Sequence, residues 1–237
     1  MKAMILAAGR GERMMPLTEY TPKPLLQVNG KPLLEYHIIR LKNAGFSDIV
    51  INHCYLGEQI EAYFGDGSRW HVNISWSPES KALETAGGIR QALDLLGDQP
   101  FLVVNGDIWT DYPFHSLPAS EFVDSLKHQQ TLAHLILINN PIQNSAGDFG
   151  LIANKVTNHA KSMWTFSGIA LYHPAFIKSC QPLIPQSLTP MLREAATLGL
   201  LTGEVYSGEW RDIGTPERLS TLEQDLKNQS DLCGKRF

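Results

Sequence analysis

Between Leu6 and Leu26 the chain reads LAAGRGERMMPLTEYTPKPLL, so that Gly9, Gly11, Arg13 and Lys23 crowd into one loop directly after a short apolar run. Glycines at the end of a strand let the backbone approach a phosphate and turn N–H groups toward it. An ordinary tight turn uses the same two glycines and needs no ligand. Two cations exceed what a turn requires, and they point to a triphosphate. A guanidinium such as that of Arg13 grips phosphate oxygens in a fork, whereas the Lys23 ammonium is a compact charge suited to a single crowded phosphorus. Far along the chain, Asp107 ends the apolar run FLVVNGD. The ends of buried parallel strands are where such sheets carry functional groups, although an aspartate there also serves as a simple turn cap.

The segment GRGERM begins like the dinucleotide-binding pattern G-x-G-x-x-G. Three features oppose that chemistry: Met14 stands at the third glycine position, Pro16 obstructs an immediate long helix, and no acid ends the second strand, DIVINHC, to hold a ribose.

The elements that must position these residues follow from periodicity. Continuous apolar runs predict strands over residues 3–8, 48–53, 72–76 and 101–105, and amphipathic spacing predicts helices over 32–44, 56–64 and 84–96. Such alternation is the pattern of a parallel sheet covered on both faces. Beyond Asp107 the rhythm loosens, with strands expected near 132–138, 151–153 and 164–172 and helices near 174–180, 188–198 and 216–226. The expected organisation is a single domain over 1–229, with a first half (1–112) carrying the glycine loop, a second half (113–229) whose extra strands shape a second substrate's site, and a tail (230–237).

With 237 residues, 43% of them hydrophobic, the chain can bury a sizeable core. A net charge of −4 argues against general nucleic-acid or anionic-membrane binding, so a polyanionic ligand must be held by a few local cations. The first apolar run is too short for a secretion signal or a membrane span, which implies the cytoplasm. Cys54, Cys180 and Cys233 show neither zinc nor redox spacing and read as reduced thiols.

The opening stretch resembles the signature of the sugar-phosphate nucleotidyltransferases, approximately L-A-A-G-x-G-[ST]-R-[ML]-x-P-L-T followed by x-P-K-P-[LM]. PESKALETAGGI, FLVVNGDIW, FSGIALYHP and EWRDIGTPERL follow in the family's order, so the resemblance covers nearly the whole chain. It implies an α/β, Rossmann-like nucleotidyltransferase fold with a mostly parallel mixed sheet. It also implies attack of a sugar 1-phosphate oxygen on the α-phosphorus of a nucleoside triphosphate. A phosphate monoester, with a second pKa of about 6, is already a good nucleophile at neutral pH and needs no strong base. The main task is to bring two polyanions together, by positioning and neutralisation.

By resemblance, Arg13 and Lys23 are the catalytic cations and Asp107 and Asp212 hold Mg²⁺, a hard ion that takes few protein oxygens beside phosphate and water. Asp111 reads as a turn or supporting residue. The nucleotide pocket falls to Ala8, Gly9, Gly11, Glu79 and the Gly87-Gly88 turn. A carboxylate at Glu79 only accepts hydrogen bonds, which admits uracil, thymine or guanine. Gly150, Phe166, Ser167 and Gly168 are expected to line the sugar-phosphate pocket. Within the family the match implies UTP and N-acetylmuramic acid 1-phosphate as substrates, in cell-wall sugar recycling.

This sequence departs from the family pattern at three places. Glu12 replaces the usual Ser or Thr of the signature. No Glu-Lys-Pro segment supplies a lysine to the sugar phosphate, leaving Lys155, Lys161 or Arg193 as candidates for the sugar's anionic groups. Glu84 stands where relatives carry glycine, and an acid there predicts right-handed helical backbone opening the next helix. The alternatives are another sugar 1-phosphate nucleotidyltransferase (guanylyl, thymidylyl, uridylyl or cytidylyl) and a non-catalytic nucleotide-binding regulator. The sequence leaves the oligomeric state open.

Overall fold

The computed structural model describes residues 1–126 and 131–234. The first half runs β1 (Ala3–Leu6), a short hairpin of β2 (Gln27–Val28) and β3 (Lys31–Pro32), α1 (Leu33–Asn43), β4 (Asp48–His53), α2 (Gly57–Phe64), β5 (Asn73–Pro78), α3 (Glu84–Gln91), α4 (Leu93–Leu96) and β6 (Phe101–Asn105). There follow β7 (Ile108–Thr110), α5 (Ala119–Leu126), β8 (Ala133–Ile138), β9 (Phe149–Ile152), β10 (Lys155–Thr157), β11 (Met163–Tyr172), α6 (Pro174–Lys178), α7 (Leu188–Thr197), β12 (Leu201–Tyr206), β13 (Trp210–Asp212) and α8 (Pro216–Gly234). The expected helix 84–96 is interrupted at Ala92, and the last helix continues past 226 to Gly234. Of the expected tail, residues 235–237 lie outside the described residues, as does the side chain of Cys233. Cys54 and Cys180 are free thiols.

One sheet carries the strands in the order β5-β4-β1-β6-β11-β8-β12-β10-β9. It is mixed, as the resemblance implied. The four strands of the first half are mutually parallel, and β11 joins them antiparallel to β6. β9 pairs with both β10 and β11, so the second-half strands close on themselves. Side chains alternate across the pleat into two cores. Met4, Val103 and Leu135 pack with α3, α6 and α7 on one face, and Ile5, Val104 and Ile136 pack with α1, α2 and α5 on the other. Burial on both faces explains why β4 reads as the near-continuous apolar run IVI.

A smaller third core controls the site. Met14 from the opening loop, Leu33, Trp109 of β7, Ile213 after β13, and Leu219 and Leu222 of α8 pack together. Met14 is completely buried, so truncating it to alanine is expected to cost about 2–5 kcal/mol. This cluster ties the glycine loop to the β7–β13 ribbon.

Beneath the ribbon, His37 of α1 is buried at 3% exposure and its Nε2 donates to the Ile108 carbonyl at 2.9 Å. Burial lowers its pKa to about 4. Below the unfolded value of about 6.5 the unfolded chain takes up a proton that the folded chain refuses, so the contribution of this group is lost as pH falls from about 6.5 to about 4. The full loss is on the order of 3 kcal/mol. Thermal melts across this range should therefore fall more steeply for the wild type than for His37→Gln, which keeps a donor but cannot titrate. Parallel slopes would refute the assignment.

Candidate active site

The chain leaves β1, fills the positions of β4 and β5 on one side, then crosses to β6 on the other side of β1. Where the strand order reverses, loops from adjacent strand ends splay apart and leave a crevice. A cleft of about 620 Å³ lies there, at the carboxyl ends of β1 and β6, lined by the loop from Leu6 to Met14 and by Lys23, Glu79, Asn105, Gly106 and Asp107. Leu6 and Asn105 are register partners, so Ala7 and Gly106 leave the sheet at the same level. Gly106 donates its N–H to the Leu6 carbonyl at 2.9 Å, and a Cβ on it would lie 2.6 Å from that oxygen. Only glycine fits, which places Asp107 directly over the cleft.

In the opening loop, Gly11 adopts φ +70°, a left-handed conformation that glycine accepts at little cost. Its carbonyl accepts from Thr18 Oγ1 at 2.8 Å, and a Cβ would stand 3.0 Å from Thr18 Cγ2. Ala8, Gly9 and Gly11 all line the cleft, and Gly9 has open space around it. Arg13 lines the cleft in an exposed position and, among the described residues, has no ion-pair partner. Lys23 is only 8% exposed, and its Nζ donates to Asp107 Oδ2 at 2.9 Å. Glu12, the departure in the signature, is exposed on the cleft rim 3.9 Å from Arg10, whose guanidinium sits over the Tyr55 ring.

The second carboxylate arrives on β13. That strand pairs antiparallel with β7, placing Asp212 opposite Ile108, and Ile213 N–H donates to the Asp107 carbonyl at 2.9 Å. Asp212 accepts from Arg218 of α8 through Oδ2. A Cβ built on Gly214, which lines the cleft, would lie 2.9 Å from Asp212 Oδ1 and 3.2 Å from Arg13 Nη2, so both groups border one point. Among the described residues, Oδ1 of Asp107 and Oδ1 of Asp212 accept no protein hydrogen bond, and no group of three or more His, Cys, Asp or Glu side chains gathers. A divalent cation here would therefore take two protein carboxylates and complete its shell with phosphate and water, a donor set that suits Mg²⁺. Asp111 accepts from Tyr206 at 2.5 Å and stands apart from this pair.

Glu79 is 6% exposed and lines the far end of the cleft. Asn52 Nδ2 donates to its Oε1 at 2.7 Å and Leu83 N–H to its Oε2 at 2.9 Å. Burial raises its pKa while these two donors pull it down. Asn52 also accepts from Ala7 N–H at 2.9 Å, linking the glycine loop to Glu79. Gly87 and Gly88 do not form a turn but sit within α3, buried behind the cleft wall. A Cβ on Gly88 would lie 2.7 Å from Glu79 Oε1 and 2.8 Å from Asn52 Nδ2, so this glycine makes room for their pairing. Residue patterns did not single out Asn52 and Asn105, which line the cleft, or Arg218, which holds Asp212. For the two asparagines the available signal was a polar residue at or next to the end of an otherwise apolar strand.

Of the residues expected at the sugar-phosphate site, Phe166 and Gly168 line a smaller cavity of about 160 Å³ that shares Leu6, Thr85 and Asn105 with the cleft. Gly168 has φ +80° and faces Asn105, whose Nδ2 would lie 2.5 Å from a Cβ. Ser167 lines neither cavity. It sits in the bulge of β11, donating to the Ile136 carbonyl at 2.7 Å and accepting from Ile169 N–H. Gly150 packs against Ala160 and Thr157. Lys155 reaches the Gly199 carbonyl at 3.1 Å, Lys161 is exposed, and Arg193 lies over the Phe149 ring, so none of the three lines either cavity.

Glu84 corrects an expectation. It opens α3 but has φ +57°, so the backbone keeps the glycine-like, left-handed conformation rather than a right-handed helical one. The exposed side chain lines the cleft. A non-glycine residue held there stores roughly 1 kcal/mol or more of strain, as functional sites often do.

The Nucleotidyl transferase family model matches residues 2–167. The chain is 50% identical over 227 residues, 94% of its length and 97% of the relative's, to N-acetylmuramate alpha-1-phosphate uridylyltransferase of Neisseria meningitidis serogroup B. It is 30% identical over 92% of its length to mannose-1-phosphate guanyltransferase of Hypocrea jecorina, of which it spans 62%. A solved Bacillus anthracis structure in complex with sucrose, provisionally named a glucose-1-phosphate thymidylyltransferase, superposes with a TM-score of 0.77, covering 94% of each chain at 24% identity. At that identity the likeness shows the fold.

The strain at Glu84 is directly measurable. Glu84→Gly should raise the melting temperature by about 1–4 °C, corresponding to roughly 0.5–1 kcal/mol in a chain of this size, despite deleting a side chain. A lower melting temperature would show that the side chain's own contacts outweigh the backbone strain.

Proposed function

Because the chain belongs to the nucleotidyl transferase family, we propose that it joins UTP and N-acetylmuramic acid 1-phosphate to give UDP-N-acetylmuramic acid and pyrophosphate. The observation that carries this reading is the 50% identity, nearly end to end, with the Neisseria uridylyltransferase. The site geometry supports the reaction class. A sugar-phosphate oxygen attacks the α-phosphorus, the bond to the bridging oxygen of the β-phosphate breaks, and pyrophosphate leaves with that electron pair.

Each residue's part follows from its surroundings. Arg13, without an ion-pair partner among the described residues, forks onto the departing pyrophosphate from the cleft rim. Lys23 is held at a fixed point by Asp107 and presents its charge where the two phosphates meet. Asp107 and Asp212 each keep an oxygen for Mg²⁺, which when bound neutralises phosphate charge and orients the triphosphate. Glu79, fixed by Asn52 and Leu83, accepts the N3–H of uracil. The loop from Ala8 to Gly11 brings its backbone up to the nucleotide. The sequence supports one nucleotidyltransferase domain in which the parallel half binds nucleotide and the second half binds sugar phosphate. No helix among the described residues is long and apolar enough to cross a membrane. Such an enzyme would work in cell-wall sugar recycling in the cytoplasm.

A second reading is favoured by the likeness to mannose-1-phosphate guanyltransferase and by the ability of a carboxylate at Glu79 to bind guanine N1–H and N2–H. Competition separates the two. UTP with N-acetylmuramic acid 1-phosphate should give the highest kcat/KM, and faster turnover of GTP with mannose 1-phosphate would replace the first reading by the second.

Two further measurements probe the charges. Pyrophosphate release should vanish in EDTA and return with Mg²⁺, and Asp107→Asn or Asp212→Asn should each lose about 100-fold or more in kcat; full activity in chelator would defeat the metal assignment. Lys23→Ala should lower kcat far more than it weakens UTP binding, because its charge counts most when both phosphates crowd the α-phosphorus. Near wild-type turnover would contradict that role.

A further inference from the structure

We propose that the 160 Å³ cavity opening off the cleft beside Asn105 is the subsite for the uncharged acetamido group of the sugar phosphate, with the Tyr172 hydroxyl as its hydrogen-bond donor. This rests on the functional reading above and specifies one of its contacts. The cavity shares Leu6, Thr85 and Asn105 with the nucleotide cleft, so a substituent of a sugar bound in the cleft reaches it without crossing the sheet.

Tyr172 lines the cavity and is completely buried, yet its hydroxyl has no hydrogen-bond partner among the described residues. The ring cannot swing away, because it is stacked on Phe176 at 5.5 Å and tilted against Phe101 at 6.3 Å. Leaving such a group unsatisfied forfeits its hydration, and folded proteins seldom tolerate it without a water or a ligand to complete it. Burial also pushes the phenol pKa upward, keeping the proton in place for donation.

The lining chooses among the sugar's groups. Among the described residues no charged side chain borders the cavity, so neither the phosphate nor the lactate carboxylate could be desolvated there. Val103, Ala170 and Leu192 supply apolar wall, and Thr85, Asn105 and Thr189 supply side-chain oxygens. An acetamido group matches this mixture. Its carbonyl accepts from Tyr172, its N–H finds an oxygen acceptor, and its methyl covers apolar surface. A hydroxyl lacks the acyl arm: it would stay at the cleft end beside Asn105, short of Tyr172, which lies opposite Phe101 four residues down β6, and would leave the apolar wall against water.

The test compares wild type and Tyr172→Phe, with UTP, on N-acetylmuramic acid 1-phosphate and on the analogue bearing a hydroxyl in place of the acetamido group. Wild type should prefer the acetamido substrate. Tyr172→Phe should raise KM for that substrate roughly fivefold, the value of one neutral hydrogen bond, with little change in kcat. KM for the hydroxyl analogue should stay at the wild-type value. The variant's melting temperature should not fall, because the deleted hydroxyl bonds to no other described residue in the free protein. Unchanged KM for both substrates would reduce the cavity to a water site and overturn the inference, and an equal loss on both would assign Tyr172 to another part of the sugar. A wild type that turns over UTP with neither sugar would overturn the functional reading and this inference with it.

Discussion

The site depends on an ion pair made between two distant loops, Lys23 of the opening loop and Asp107 after β6, with Nζ and Oδ2 2.9 Å apart. A lysine at 8% exposure must have its charge answered, and the only inexpensive partner is one the sheet delivers to the same place. Delivery comes from register: Leu6 and Asn105 are partners, so the chain leaves β1 and β6 together and Gly106 turns Asp107 back over the cleft. Among the described residues the pair leaves Arg13 without an ion-pair partner and Oδ1 of Asp107 without a hydrogen bond. A resting site so arranged is polarised without carrying a large unpaired charge, and in the proposed reaction an arriving phosphate would exchange partners with groups already held in position. This is the preorganisation that makes electrostatic stabilisation effective.

A polarised loop is useful only if it cannot drift, and hydrophobic packing provides that restraint. Met14 is carried into the third core by the same short segment that exposes Arg13, and Ile213 enters that core one residue after Asp212. α8 supplies Leu219 and Leu222 to the cluster and Arg218 to Asp212, fixing the second carboxylate by both packing and charge. The C-terminal helix thus acts on the chemistry of the N-terminal loop, although the two lie at opposite ends of the chain. Small displacements in such a site are costly because catalysis by positioning has little tolerance for them.

The legible parts of the fold were those with strong local periodicity. The apolar runs of β1, β4 and β6 and the helical spacing of α1 announce a parallel half, and the glycines and cations of the opening loop announce a polyanion. Short elements were not legible. β7, β10 and β13 are three residues each, too short for a period to show, and they exist because their partners hold them. Gly88 illustrates a different limit. Its absent side chain serves a contact between Asn52 and Glu79, residues that only the fold brings together, so sequence pattern marks the glycine without giving its reason. Glu84 was misread because a charged residue at a helix start ordinarily signals right-handed backbone, whereas here the surrounding turn overrides the preference.

Glu79 and Glu84 show how one short segment divides its work. Both are acids lining the same cleft, yet Glu79 is buried and held by two donors while Glu84 is exposed and held by a strained backbone. A fixed acceptor suits a planar base, whose N–H must meet it at one angle. If the cleft holds a triphosphate as proposed, an exposed acid beside it does the reverse: it would repel an anion that strays toward it and keep the phosphates to the Arg13 and Lys23 side. Glu12 on the opposite rim adds the same sign of charge, partly offset by Arg10. In the proposed reaction the cations therefore need not be numerous: bounded by acids on either side, Arg13 and Lys23 would mark a path along which two negatively charged substrates approach each other.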